Sequence, residues 1–262
     1  MTPSNTPRRS PLADLAALGI SLLVLSLAMI WLIGLQGVEE TPESVGSSLY
    51  PGPRGTLALY RWLEGTGFQV SRLTDDNDFP PGDADTLFMI NPSPDFPAGQ
   101  AGDVRDWVER GNTLILTLGR RLGDISAQFG DVHPMLREFD LDFEFSGFYT
   151  PTVPVAQPIF NRPSVAQVQM PGVFTLLLPT EGAVVLVSSR DDEGNRLPLV
   201  AMLRVGEGRV FVLSSDFPLS NEGIGQESNG ALVYNMAQMA GGKRVAFDEA
   251  HHGTPREGGD LI

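Results

Sequence analysis

The sequence predicts an α/β domain with a mostly parallel sheet and added β-hairpins, preceded by one transmembrane helix. Three observations carry this expectation. Two uninterrupted apolar runs, Thr86 to Ile90 and Thr113 to Leu118, flank a segment of helical spacing, as strands buried on both faces do around a crossover helix. Further along, Ala183 to Ser188, Leu197 to Val205 and Arg209 to Leu213 are joined by Asp191-Asp192-Glu193-Gly194-Asn195 and Gly206-Glu207-Gly208, which read as hairpin turns. Near the N-terminus, 21 residues from Leu15 to Leu35 carry no charge.

At about 1.5 Å per helical residue, that apolar stretch spans roughly 30 Å of hydrocarbon. Arg8 and Arg9 precede it, and Glu39, Glu40 and Glu43 follow it. The positive-inside rule then places residues 1–14 in the cytoplasm and the bulk of the chain outside, and Trp31 suits the outer interface. A cleaved signal peptide would have a shorter apolar region and a small-x-small site, which Gly34-Leu35-Gln36-Gly37-Val38 does not offer. The expected location is the cell membrane, single-pass, with lipid as the partner of residues 15–35.

Residues 36–52 are polar and rich in turn formers and read as a linker, so the extracytoplasmic domain is expected over 53–255 and a C-terminal tail over 256–262. Leu57, Leu59, Tyr60, Trp62 and Leu63 are distributed as on a helix that Gly65-Thr66-Gly67 stops, with a strand from Phe68 to Leu73 after it. Val104, Trp107 and Val108 give a second helix between the two buried strands, completing a βαβ unit. From Gly119 to Glu181 the signals are weaker. They allow a short helix at Pro134 to Phe139 and an alternating segment from Leu141 to Phe145, in what reads as an insertion or an edge elaboration. Asn229 is expected to cap a last helix ending at Gly241-Gly242, and Val245 to Phe247 is the final strand.

The formal net charge is −14, and without Arg8, Arg9 and Asp14 the rest of the chain carries 16 basic against 31 acidic residues. Such a domain repels phosphate backbones, so nucleic acid is not an expected partner. The absence of cysteine excludes disulfides, thiolate metal sites and a cysteine nucleophile.

The chemically dense stretch is Phe247-Asp248-Glu249-Ala250-His251-His252-Gly253, two carboxylates and two of the three histidines directly after a strand, where α/β sheets form their sites. Carboxylates and imidazoles suit metal ligation and acid–base work. In an extended chain, however, Asp248 and His252 face one way and Glu249 and His251 the other, so they converge only if the backbone turns. The spacing is not that of His-Glu-x-x-His, and the third histidine, His133, is distant in sequence. Asp248-Glu249-Ala250-His251 also spells a helicase box, but Gly241-Gly242-Lys243-Arg244 is not a phosphate-binding loop. A second polar cluster runs from Ser214-Ser215-Asp216 through Asn221 to Asn229; it lacks the Gly-x-Ser-x-Gly elbow of a serine hydrolase, and Asp216 and Asn221 are expected to fix the loop into the last helix.

The segments GTLALYRWLEGTGFQV, DWVERGNTLILTL, VFVLSSDFPLSNEG and ESNGALVYN, and above all FDEAHHG, resemble the membrane-tethered bacterial proteins called domain of unknown function 4350. The resemblance covers roughly residues 45–255. It implies a flavodoxin-like sheet similar to the class I glutamine amidotransferase fold, without that family's catalytic cysteine. It also implies an envelope protein partner or a transport- or ATPase-associated complex, and a second hydrophobic segment beyond the point where this chain stops. Asp216, Asn221, Asn229, Asp248, Glu249, His251 and His252 carry over as candidate ligand- or partner-binding positions, with no catalytic residue, metal or cofactor assigned.

Two functions are compatible with these residues. One is a membrane-anchored, non-catalytic binding or scaffold domain of the cell envelope, with Asp248 to His252 at the rim of its site. The alternative is an envelope hydrolase, metal-dependent or otherwise, that uses Asp248, Glu249, His251 and His252, and it requires at least three ligands to converge or a base within reach of a nucleophile.

Overall fold

The computed structural model describes residues 44–252, apart from 76, 78, 94–95, 118–132, 148–151, 156–161 and 173, together with Ser21, Val24 and Leu25. The chain divides into two compact units, Met1–Glu39 and Glu40–Ile262. In the first unit, the three described residues are helical and exposed. The rest of the expected span 15–35, the expected N-terminus 1–14 and the expected tail 256–262 lie outside the described residues. Among the described residues, no helix is long and apolar enough to cross a membrane.

The strands of the second unit are, in chain order, β1 (Gln69–Leu73), β2 (Thr86–Ile90), β3 (Thr113–Thr117), β4 (Asp142–Phe145), β5 (Thr152–Pro154), β6 (Gln167–Gln169), β7 (Phe174–Leu177), β8 (Ala183–Arg190), β9 (Arg196–Val205), β10 (Gly208–Leu213) and β11 (Arg244–Asp248). The helices are α1 (Leu57–Gly65), α2 (Ala98–Glu109), α3 (Pro134–Glu138) and α4 (Asn229–Gln238), with a 3₁₀ turn at Phe217–Leu219. Seven strands form one sheet in the order β1-β11-β2-β3-β10-β9-β8. Pairing is parallel from β1 to β10 and antiparallel through β9 and β8. The mainly parallel sheet and the two hairpins follow the expectation. The last strand, β11, lies between β1 and β2, a placement that local sequence pattern does not encode.

The sheet has a core on each face. Alternation along β2 and β3 sends Phe88, Ile90 and Ile115 to one side, under Leu59 and Leu63 of α1 and Leu232, Val233 and Met236 of α4. Leu87, Met89, Leu114 and Leu116 go to the other side, under Val104, Trp107 and Val108 of α2 and Met135 and Leu136 of α3. Because both faces are covered, every residue of β2 and β3 is buried, which explains their unbroken apolar runs. Burial of each such aliphatic side chain contributes about 1.5–3 kcal/mol. Helix α2 closes at Gly111, whose φ of 110° suits glycine, and Asn112 Nδ2 donates to Trp107 O at 2.8 Å.

Two local readings differ from the structure. Residues 44–52, read as the end of the linker, belong to the folded unit, with Val45, Gly46, Ser47 and Ser48 buried. Asn229 does not cap α4: the N-cap is Ser228, and the amide of Asn229 turns sideways to pair with β6. The weak region yields three strands that sequence pattern did not reveal. Strands β5 and β6 pair with each other, β7 pairs with β4, and each is too short to show a period.

Candidate functional site at the carboxyl ends of the strands

Parallel pairing aligns the carboxyl ends of β1, β11, β2, β3 and β10 along one edge, so the residues that leave these strands are neighbours despite their distance in sequence. After β11 the backbone turns at Ala250-His251, which ends the alternation expected of an extended chain. The turn brings His251 Nδ1 within 2.8 Å of Asp248 Oδ1, and His251 N donates to the same oxygen at 3.3 Å. The far ring nitrogen, Nε2, lies 2.9 Å from Gln100 Oε1 on α2. The imidazole is packed between Phe79 and Phe96, with centroids at 4.6 Å and 4.4 Å.

Glu249 points elsewhere. Its Oε2 accepts from Ser47 Oγ at 2.7 Å and its Oε1 accepts from Ser48 N at 2.6 Å, while its own backbone N–H donates to Leu73 O. The carboxylate therefore fastens the strap of residues 44–52 to the ends of β1 and β11. His252 lies beside the same strap, its Cε1 3.2 Å from where a side-chain carbon on Gly46 would stand. All four motif residues are buried, at 2% (Asp248), 5% (Glu249), 7% (His251) and 2% (His252) relative exposure. Two buried carboxylates are tolerable only with such partners, because an unpaired buried charge costs several kcal/mol.

The other candidates are distributed along this edge or away from it. Asp216, after β10, accepts from Asn91 Nδ2 at 2.6 Å. Asn91 leaves β2 with a φ of 54° and its N–H donates to Thr117 O, so the pair bridges the end of β3. Asn221 does not chiefly order the loop into α4. Its Oδ1 accepts from Ala58 N at 2.7 Å, satisfying an otherwise unpaired N–H of the first turn of α1, and its Nδ2 donates to Tyr50 O and Gly52 O. Asn229, fully buried, accepts from Gln169 N and donates to Gln169 O and Gly223 O, which ties β6 to α4. Ser215 Oγ donates to Pro171 O at 2.9 Å rather than meeting a base.

His133, remote in sequence, belongs to this corner of the fold. Its Nδ1 accepts from Met135 N at 3.2 Å as the N-cap of α3, which leaves Nε2 to donate to Ser93 O at 3.0 Å. The bond from Met135 N requires the neutral ring, whereas the bond to Ser93 O survives protonation. Burial pushes its pKa below the ordinary imidazole value; the Ser93 carbonyl opposes this shift and the charge of His251 adds to it. Ser93 N in turn donates to His251 O at 2.6 Å, so one residue links both histidines.

The structure thus joins Asp248 with His251, Glu249 with the strap, and Asp216 with Asn91, as three separate pairings. Among the described residues, no group of three His, Cys, Asp or Glu side chains is placed to share a metal ion. Gln100, Asn91, Ser47, Ser48, Phe79 and Phe96 complete these pairings and were not singled out in the sequence. Of these, only Asn91 had a readable signal, as an asparagine at a strand end is suited to the left-handed backbone region.

A mainly parallel α/β sheet with a buried acidic–imidazole motif at its strand ends is the class that fold and site define. Residues 48–237 match the family described as "Domain of unknown function (DUF4350)", and the chain belongs to that family. No curated protein matches the sequence. Among solved structures, the mmIFT52 N-terminal domain shares the fold at a TM-score of 0.54 and 17% identity, over 71% of this chain and 89% of that one. The cytoplasmic protein STM1381 from Salmonella typhimurium LT2 overlaps at a TM-score of 0.42 and 14% identity, over 60% of this chain and 71% of that one. The β-galactosidase from Bacillus circulans sp. alkalophilus overlaps at 0.39 and 13% identity, over 66% of this chain and 22% of the enzyme.

Proposed function

We propose that this chain is a membrane-anchored, non-catalytic binding or scaffold domain of the cell envelope, held by residues 15–35 with its main domain outside the cytoplasm. On this reading, its sheet is a flavodoxin-like, glutamine amidotransferase-like scaffold that lacks the nucleophilic cysteine. Its partner is an envelope protein, free or within a transport- or ATPase-associated complex.

The observation that carries the reading is where the motif spends its hydrogen-bonding capacity. Both Glu249 oxygens are taken by Ser47 and Ser48, and the Asp248 oxygen that meets His251 is taken by its ring and amide. A hydrolase needs a base within reach of a nucleophile or an open ligand set, and Ser215 and Asp216 are each engaged with other residues. The buried motif instead shapes the surface above it, where Ala250 and Gln100 are half-buried.

Capture from native membranes tests this. The full chain should recover a specific envelope protein, and Ala250→Arg, which adds a long charged side chain above the motif without removing any of its partners, should lose that protein while unfolding at the same temperature. Equal recovery by both chains, or turnover of an envelope substrate that Glu249→Gln abolishes, would refute the proposal.

A further inference from the structure

The strap of residues 44–52 is held in the manner of a bound peptide. Side chains of the domain read its backbone: Thr56 Oγ1 donates to Gly46 O at 2.8 Å, Glu249 accepts from Ser48 N, an Arg72 guanidinium N–H donates to Ser48 O at 3.0 Å, and Asn221 donates to Tyr50 O and Gly52 O. Two side chains of the strap are also read, Ser47 by Glu249 and Ser48 Oγ by Arg72 Nε at 2.8 Å. Arg72 is itself fixed, its guanidinium 3.6 Å above the Tyr60 ring. At Gly46 the φ is 85°, and an added side-chain carbon would come within 2.6 Å of Ile90 O, so this position takes only glycine. The apolar contribution is small: Val45 is buried, but Leu49 is 54% exposed. Segments with few buried apolar contacts open at lower free energy than the core.

We infer that residues 44–52 are an internal ligand, occupying a peptide-binding site built from Glu249, Arg72, Asn221 and Thr56. Release of the strap opens that site to a partner segment of the same chemistry, a glycine followed by two small hydroxyl residues. This deepens the partner-binding reading above, on which it rests, by naming what the edge recognises and what covers it at rest. The strap is the end of the linker expected to lead from the membrane segment, so a partner that takes its place also alters how the domain is tethered.

The test uses the full chain in detergent with Val45→Cys, which introduces the molecule's only thiol at a buried strap position. A synthetic peptide of residues 44–53 is added, beside one with alanine at the Gly46 position. The wild-type peptide should speed labelling of the thiol about tenfold in a saturable way, as expected for a sub-global opening it captures, and the alanine peptide should not. On the unsubstituted chain, the same peptide should speed hydrogen exchange at the Ser48 amide and leave β2 and β3 unchanged. If the thiol and the Ser48 amide react only at the rate of global unfolding, with or without peptide, the strap is a permanent part of the fold and the inference is wrong. These readouts need no native partner, so a strap that opens while membrane capture recovers nothing would refute the partner reading and leave the peptide site standing.

Discussion

The backbone N–H of Ser48 donates to Glu249 Oε1 at 2.6 Å across 201 residues of sequence. One buried carboxylate thereby joins residues 44–52 to the end of β11. Glu249→Ala leaves Ser47 Oγ and Ser48 N buried without an acceptor. Hydrogen bonds to a charged group contribute about 1.5–3 kcal/mol each, so the expected loss for the two is about 3–6 kcal/mol. For a domain of this size that lowers Tm by roughly 6–24 °C. Glu249→Gln, which keeps one acceptor, should lose about half as much, as read by thermal unfolding of the two variants beside the parent chain.

Asp248 and His251 form a second closed unit, and they should behave as one. Removing His251 alone strands a buried carboxylate, at a cost of about 3–5 kcal/mol. In a cycle of Asp248→Ala, His251→Ala and the double variant, urea unfolding should give a coupling of about 1–3 kcal/mol. Additive losses would show that the 2.8 Å contact carries no energy of its own.

His133 makes the corner sensitive to acid. Its folded pKa lies below the unfolded value of about 6.5, so between the two the unfolded chain binds the extra proton. Its contribution to stability is complete above pH 6.5 and is lost as pH falls through that window toward the folded pKa. His133→Asn keeps a capping acceptor but cannot titrate, so unfolding curves at pH 5 and 8 should differ less for the variant than for the parent.

Asn91 holds Asp216 from a left-handed backbone position, with φ at 54°. Asn91→Gly loses the side-chain bond but fits the backbone. Asn91→Ala loses the bond and adds strain of about 1–2 kcal/mol. Unfolding midpoints should therefore rank parent, then glycine, then alanine, and a reversal of the two variants would show that the backbone there is not strained.

Much of this architecture was legible in the sequence. Runs such as Thr86–Ile90 are buried on both faces and say so in their composition, and Gly65-Thr66-Gly67 and Gly111-Asn112 mark helix ends by backbone chemistry. The place of β11 between β1 and β2 was not legible, because it depends on pairings between residues more than 150 positions apart. The site followed the same division. The motif was visible as a density of charge and imidazole, but its partners Gln100, Ser47 and Ser48 are ordinary residues that acquire meaning only when the strands align. Asn229 shows the converse: a side chain of capping type, at the first residue of a helix, is drawn sideways by the unpaired backbone of a short neighbouring strand.

Inward use of the motif can be checked by the unfolding temperature of the full chain in detergent with excess Zn²⁺, Mn²⁺ or Mg²⁺, and with chelator. A ligand at a hundredfold excess over its Kd that binds only the folded state adds about 2.7 kcal/mol, a shift of several degrees. With Glu249 held by Ser47 and Ser48 and Asp248 by His251, Tm should be the same under all conditions. A rise specific to one metal, absent in Glu249→Gln, would contradict it and return the motif to metal-dependent chemistry.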